Sequence, residues 1–440
     1  MSRLSGKEEL KRSVCRAVDQ NREEILSIGR QILQNPELGY KEKKTSALVT
    51  DSFRTLGLSE LSHYAITGVK AWGRGHSHNA SVALMGELDA VLSPCHPYAD
   101  LQTGAAHACG HNTQIAALIG CAAALISTGA FQELDGDICF FATPAEEFVE
   151  IGERSELIKE GKIRYIGGKQ ELIAEGAFDD IDMAMMTHSE TNAPKPRIVI
   201  KGHATGFIGK TVRFAGKEAH AGGAPWEGIN ALNAASLAIM AINAQRETFR
   251  DEDFVRVHPI ITKGGDLVNI VPADVQMESY VRAASIKAMQ AANAKVNRAI
   301  EGASYAIGTQ VEINDMPGYL PLDQNPDMSD IFAENAAVLF KEDIVSRGLP
   351  FCGSTDVGDL AYFLPVIHPT ISGFTGAAHS KDFTAADMDM AFLVPAKLMA
   401  MTAIDLLWDG AKKAIAIKNS HPRKTSAEYE ALWKSILAKK

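Results

Sequence analysis

Three short runs in the first half of the chain constrain the fold more than any other feature. Residues 81–85 (SVALM), 137–142 (DICFFA) and 182–186 (DMAMM) are of strand length, almost wholly apolar, and run into polar residues. A strand apolar on both faces needs cover on both, the texture of a parallel sheet sandwiched between helices. Residues 113–125 between the first two runs are apolar and read as a helix buried on most faces. Upstream, Leu26, Ile28, Ile32 and Leu33 mark one helix stopped at Pro36; Ala47, Leu48, Phe53 and Leu56 mark another ended by Gly57. The expectation is an α/β fold with a mostly parallel sheet.

The texture changes after Pro194-Lys-Pro196. Residues 198–214 alternate like strands with one exposed face. A helix at 228–246, strands at 255–261 and 275–281, a helix at 286–303 and a strand at 310–313 follow. Strand, helix, strand, strand, helix, strand is the order of a ferredoxin-like, split β-α-β sandwich. Pro317, Pro321 and Pro326 mark a return linker, after which apolar helices and strands resume at 331–340, 370–373 and 386–408. The simplest organisation is a catalytic domain in two pieces, 1–197 and 316–440, with a small α+β domain, 198–315, inserted. A chain of 440 residues is long enough for both. The last stretch, with Tyr429, Leu432, Trp433 and Ile436 at helical spacing, reads as a surface helix.

Composition narrows the partners. The formal charge of −10 argues against nucleic acid. The first twenty residues are polar and charged, with no apolar core of a leader, and the apolar run 115–126 is too short to span a bilayer, so no membrane role is expected. The six cysteines, Cys15, Cys95, Cys109, Cys121, Cys139 and Cys352, are scattered without a C-x-x-C pair, which fits a reducing cytoplasm.

The densest chemical signal is His107-Ala-Cys-Gly-His111-Asn112. Thiolate and neutral imidazole two residues apart are preferred ligands of zinc-like ions; a buried cysteine beside two helix-start histidines is the plainer alternative. Pro144-Ala-Glu-Glu147 follows an apolar strand, where one carboxylate could bind metal while its neighbour takes a proton from water; a solvated acidic turn is the plainer alternative. His188 and His379 also sit at strand ends. Cys109, His111, Glu147, His188 and His379 make five ligands, a number that two metals sharing a bridge can use, with Glu146 left over. A second cluster lies in the insert: Gly216-Lys-Glu-Ala-His220, Asn269-Ile-Val-Pro272 and Arg282, able to hold an oxyanion or a carboxylate. Neither a nucleophile elbow nor a phosphate-binding loop is evident.

In combination and order, these motifs resemble the M20 family of metallopeptidases, and within it the amidohydrolase branch of aminoacylases, hippurate hydrolases, auxin-conjugate hydrolases and p-aminobenzoyl-glutamate hydrolases. The resemblance runs from Pro36-Glu-Leu-Gly39 through Gly86-Glu-Leu-Asp89 to His379-Ser-Lys-Asp-Phe383. It implies a zinc-peptidase-like catalytic domain and an inserted dimerisation or lid domain forming a homodimer. It implies two divalent ions, zinc by default with manganese or cobalt able to serve. Cys109 would bridge them, and His111, Glu147, His188 and His379 would complete the sites. Glu146 would be the general base, and Asp89 would support the metal site. His220 and Asn269 would stabilise the oxyanion, His220 in the partner's site, and Arg282 would grip a substrate carboxylate. The branch often reads C-G-H-D-x-H; here Asn112 and Gln114 replace the aspartate and second histidine, and Glu87 stands where aspartate is common. That spelling is closer to the dipeptidase-like and aroyl-glutamate-cleaving subgroup. The expected activity is hydrolysis of an amide in an N-acyl or aroyl amino acid or a dipeptide. A non-catalytic paralogue binding such ligands and a metal-free protein are the alternatives, and retention of Glu146 with all five ligand candidates argues against the first of them.

Overall fold

The direction in which strands join decides which loops can meet at a sheet edge. In the computed structural model, which describes residues 3–340, 344–348 and 353–438, Ser81–Glu87 and Asp137–Thr143 pair in parallel, from Ser81 opposite Asp137 to Glu87 opposite Thr143. Both strands are buried along their whole length. Met183–Met185 adds in parallel to Ser81–Glu87, and Val366–Ile367 in parallel beyond it. The other edge departs from the expected mostly parallel sheet. Gly68–Gly73 runs antiparallel to Asp137–Thr143, and Ser59–Tyr64 antiparallel to Gly68–Gly73. The six-stranded sheet is therefore mixed.

One of the two reversals is a tight hairpin in which Ala65 and Ile66 take φ of 45° and 70°, left-handed angles that reverse a twisted ribbon in few residues. Glu175 accepts the Ala65 N–H at 2.7 Å and holds the reversal. An unbroken apolar strand reports that both its faces are covered; it does not report the direction of its neighbour. Gly68–Gly73 is itself fully buried although antiparallel.

The chain divides into two units. The first contains the chain up to Gly202 and most of it after Asp323; the second is His203–Leu322 with two short later pieces. In the first unit the helix His111–Ser127 is buried on nearly every face. The segment Asp389–Leu407 is another core helix, beginning with a π-helical turn, Asp389–Leu393, and continuing as α-helix with Pro395 in its first turn. Gly29 makes room for it: a Cβ there would lie 2.2 Å from the Phe392 ring. Among the described residues this is the one helix long and apolar enough to cross a membrane, but 94% of its apolar window is buried inside the protein. A smaller sheet in the same unit pairs His188–Thr191 in parallel with Thr370–Thr375, which also meets Ile198–Ile200 and Thr384–Ala385.

The second unit is a four-stranded antiparallel sheet in the order Arg256–Lys263, Asp274–Ala283, Gly206–Ala215, Gln310–Tyr319. The helices Ala231–Ala244 and Ile286–Ile307 alternate with the strands in the ferredoxin-like order. Each helix starts at a side-chain cap, Asn230 accepting Asn233 N–H and Ser285 accepting Ala288 N–H. Of the three prolines read as a linker, Pro317 lies inside the strand Gln310–Tyr319 and Pro326 opens the helix Pro326–Leu339. That strand tolerates Pro317 at the sheet edge, next to a register shift opposite Phe207 and Ile208. The final helix, Ser426–Leu437, is more than a surface helix: Tyr429, Trp433 and Ile436 are all buried. Cys352 lies outside the described residues.

Candidate metal centre

Parallel pairing brings three chain exits to one sheet edge. Ser81–Glu87 runs into Leu88 and Asp89, Asp137–Thr143 into Pro144-Ala-Glu-Glu147, and Met183–Met185 toward His188. The loop before helix His111–Ser127 reaches the same edge. Gly110 enters that helix at φ 90°, an angle glycine adopts without steric cost. Its neighbours are anchored: Ser189 Oγ donates to Cys109 O at 2.9 Å. His379 joins from another loop, its N–H donating to Ala108 O at 2.8 Å.

These segments converge as two donor sets that share one atom. Cys109, His111 and His188 form the first; Cys109, Glu147 and His379 form the second, with ligand atoms in each set within 4.8 Å of one another. Cys109 Sγ lies 3.3 Å from His188 Nε2, and His379 Nε2 lies 3.2 Å from Glu147 Oε1. A third set, Glu87, His111 and Glu146, shares His111. The adjacent carboxylates thus serve different sets, as their strand-end position predicts. Cys109, His111 and Glu147 are buried, whereas the His379 side chain is 49% exposed, so the centre opens at that edge.

The imidazole tautomers follow from what the rings face. His111 Nδ1 sits 2.8 Å from Asp89 O, and His188 Nδ1 3.1 Å from Ser189 O. A carbonyl only accepts, so both rings donate from Nδ1 and keep Nε2 for another partner. His111 Nε2 and Glu147 Oε1 are both buried, the first 3.1 Å from Glu87 Oε2 and the second 3.2 Å from His379 Nε2. Buried thiol, imidazole and carboxylate groups crowded so closely are costly unless a cation lies among them. Thiolate, imidazole and carboxylate suit zinc, with manganese or cobalt compatible. The donor chemistry therefore fits a pair of divalent ions.

Electrostatics agrees. Burial opposes ionisation of the Cys109 thiol, but His188 and His111 beside it prevail and hold it well below its ordinary range. Hydrogen bonds to Cys109 and Glu147 push His379 up to about 11. Burial lowers His111, yet Glu87 and Cys109 raise it well above its ordinary value. The same contacts favour the thiolate of Cys109, the form in which cysteine binds a divalent ion.

Asp89 is fully buried; its Oδ2 accepts the Glu147 N–H at 2.9 Å and its Oδ1 lies 3.4 Å from His111 Nδ1. The remaining expected residues lie in the second unit. His220 and Asn269 are exposed and Arg282 is half-buried. They sit on adjoining segments: His220 bridges Ile270, and Ala221 N–H donates to Asn269 O at 2.9 Å. His220 Nδ1 accepts the N–H groups of Gly222 and Gly223 at 3.2 and 2.8 Å, so its proton resides on Nε2. Arg282 donates to Ser354 Oγ at 2.6 Å and stacks over Phe207 and Tyr280.

Around the centre, two residues that the sequence reading did not name, Lys169 and His368, join Glu87, Gln114 and Asn112, which it noted only as departures from the branch's pattern. Lys169, completely buried, pairs with buried Glu87 at 2.6 Å. Gln114 donates to the other Glu87 oxygen at 2.9 Å, which explains its place where the branch often has histidine. Asn112 donates to Gly29 O at 3.2 Å, a structural use. His368 stacks edge-on against His188, with ring centroids 5.4 Å apart. It follows the short strand Val366–Ile367, so the same strand-end logic that marks His188 points to it. Nothing in the sequence around Lys169 marks it as the partner of Glu87.

An α/β scaffold with cysteine-centred donor sets at a sheet edge and buried Glu146 beside them is an arrangement suited to a metal-dependent hydrolase. Residues 83–400 match the peptidase family M20/M25/M40. Mouse Xaa-Arg dipeptidase is 31% identical over 91% of this chain and 89% of its own length. The N-acyl-L-amino acid amidohydrolase of Geobacillus stearothermophilus is 26% identical over 71% of this chain and 81% of its own. A Bacillus subtilis structure described as a dinuclear metal-binding peptidase of the M20 family aligns with a TM-score of 0.67 at 21% identity, covering 88% of this chain and 99% of that one. The chain belongs to the M20 family. It is a metal-dependent hydrolase of an amide bond in an acyl or aroyl amino acid or a dipeptide-like substrate.

Proposed function

We propose that the preferred substrate is a dipeptide with a basic C-terminal residue, cleaved at a two-metal centre bridged by Cys109. The observation that carries the site assignment is the shared vertex: Cys109 belongs to both donor sets, with buried Glu146 in the neighbouring one. His111 and His188 would hold one ion, Glu147 and His379 the other, with zinc the first expectation from the thiolate. Bound there, the ions would supply Lewis-acid polarisation of the amide carbonyl and a water acidic enough to attack near neutral pH. Glu146 would accept a proton from the attacking water and return it to the leaving amine. Asp89 keeps His111 and the Glu147 backbone in place. His220, with its proton on Nε2, and Asn269 donate to the oxyanion, and Arg282 binds the substrate carboxylate.

The basic C-terminal residue is supported by the likeness to mouse Xaa-Arg dipeptidase, and the dipeptide class also by the C-G-H-N spelling at 109–112. Because His220 and Asn269 are exposed on the second unit, we propose that this unit forms a homodimer, with His220 serving the partner's centre. The described cysteines, Cys15, Cys95, Cys109, Cys121 and Cys139, are free thiols, which supports a cytoplasmic setting.

The test is a panel of Xaa-Arg and Xaa-Lys dipeptides, N-acyl amino acids and p-aminobenzoyl-glutamate, assayed with zinc, manganese or cobalt for the parent and Glu146→Gln. Highest kcat/KM on Xaa-Arg or Xaa-Lys supports the substrate assignment, and highest kcat/KM on another class overturns it. Equal kcat in Glu146→Gln removes Glu146 from the base role.

A further inference from the structure

The motif Pro36-Glu-Leu-Gly39, with Glu42 just beyond it, has no part in the chemistry described so far. The structure places it directly behind the turn that carries Glu146 and Glu147. Glu42 is completely buried, and its Oε1 accepts the Ala145 N–H at 2.8 Å. Its Oε2 accepts Thr67 Oγ at 2.6 Å. Glu42 is also the N-cap residue of helix Lys43–Thr55, yet its side chain makes no cap bond. Glu37 caps instead, accepting the N–H groups of Lys44 and Thr45. A carboxylate in the natural capping position is thus released from capping and committed to the backbone of another element.

The turn is held on all sides. Ala145 takes φ 51°, a left-handed angle that costs a non-glycine residue energy and persists only where its surroundings over-determine it. Ala145 O accepts Gly168 N–H at 2.9 Å, and Asp89 Oδ2 accepts Glu147 N–H at 2.9 Å. Glu147 O accepts Arg154 Nη1 at 2.8 Å, and that guanidinium is itself 1% exposed. Gly39 lies against the same backbone: a Cβ there would be 2.8 Å from Ala145 Cα and 2.4 Å from Arg154 Nη2. Ala90 N–H donates to Glu37 O at 2.8 Å, tying the segment to the exit that carries Asp89 as well.

We propose that residues 36–42 and Arg154 form a cradle that presets the Glu146–Glu147 turn, with Glu42 and Arg154 acting as positioning residues for the base and the metal ligand it carries. Glu42 sets the left-handed step at Ala145, which sends the two following carboxylates to different donor sets. Arg154 fixes the carbonyl end of the same turn. This rests on Glu146 and Glu147 having the roles proposed above.

The experiment compares Glu42→Ala, Glu42→Gln, Arg154→Met and Gly39→Ala with the parent, each as the full chain, corrected for folded protein and metal content. Glutamine keeps the acceptor for Ala145 N–H. Expected for Glu42→Ala and Arg154→Met is a loss of about 10²-fold in kcat, the size of a misplaced catalytic group, with KM within about threefold. Competition against a chelator should show metal held about tenfold less tightly. Glu42→Gln should recover most of both readouts. A Glu42→Ala enzyme with unchanged kcat and metal retention overturns the proposal, as does a Glu42→Gln variant no better than Glu42→Ala. If Glu42→Ala yields no folded protein, Gly39→Ala decides, because it presses on Ala145 with every carboxylate intact: lowered kcat supports the cradle and parental kcat overturns it. Glu146→Gln measured alongside separates the two claims, since full activity in that variant sinks the base assignment and leaves metal retention in Glu42→Ala as the readout on Glu147.

Discussion

The two units hold their polar clusters in opposite ways. In the first, Cys109, His111 and Glu147 are buried at a sheet edge with their metal-binding atoms crowded together. In the second, His220 and Asn269 stand exposed, and the His220 ring is oriented by the N–H groups of Gly222 and Gly223. The first cluster is preorganised to the point of electrostatic cost and calls for cations. The second is exposed and held by backbone contacts. If His220 and Asn269 have the roles proposed above, metal binding should depend on the first unit alone while turnover also needs the second.

Variants sharpen that contrast. Cys109→Ala removes the atom common to both donor sets, so activity should fall to background and bound metal should drop, read by metal analysis of the purified protein. His220→Ala should lower kcat by about 10²–10³-fold, the worth of an oxyanion donor, with metal content unchanged; lost metal in that variant would break the division between the units. Lys169→Met leaves buried Glu87 without its counter-ion and should destabilise the fold by about 3–5 kcal/mol in denaturant unfolding. Adding Glu87→Gln to it should restore much of that loss.

A smaller effect concerns pH. Burial, and then the charge of Asp89, push Glu42 up to about 8. A carboxyl whose folded pKa lies above its unfolded value contributes stability that is complete below about 4.5 and fades as pH rises through about 8. The parent should therefore lose unfolding midpoint across that window relative to Glu42→Gln, whose amide stays neutral. Parallel pH profiles for the two proteins would remove Glu42 from the explanation.

How far the site can be read from sequence follows from where its contacts lie along the chain. Cys109, His111, Glu147, His188 and His379 stand at strand or helix ends, where local pattern marks them, and they meet in space. The supporting pairs are different. Lys169 and Glu87 are 82 residues apart, and Glu42 and Ala145 are 103 apart. No periodicity links such partners, and a lysine in a short helix gives no sign that it will be buried. The mixed sheet escaped for a related reason: Ser59–Tyr64 is half-exposed and polar, so its strand signal is weak beside the apolar runs. Tyr429, Trp433 and Ile436 do show helical spacing, but the charged residues around them conceal that their face is buried.

The central claim is that Cys109 joins two metal sites in a hydrolase of amide bonds. Cobalt(II) titration of the metal-free protein tests it most directly, because thiolate bound to cobalt has a charge-transfer absorption that imidazole and carboxylate ligands lack. The account predicts a thiolate band that grows to about two equivalents per chain, dipeptide hydrolysis that returns with it, and neither in Cys109→Ser. A metal-free protein that hydrolyses the amide at the full rate, or a cobalt protein that is active without a thiolate band, would contradict it.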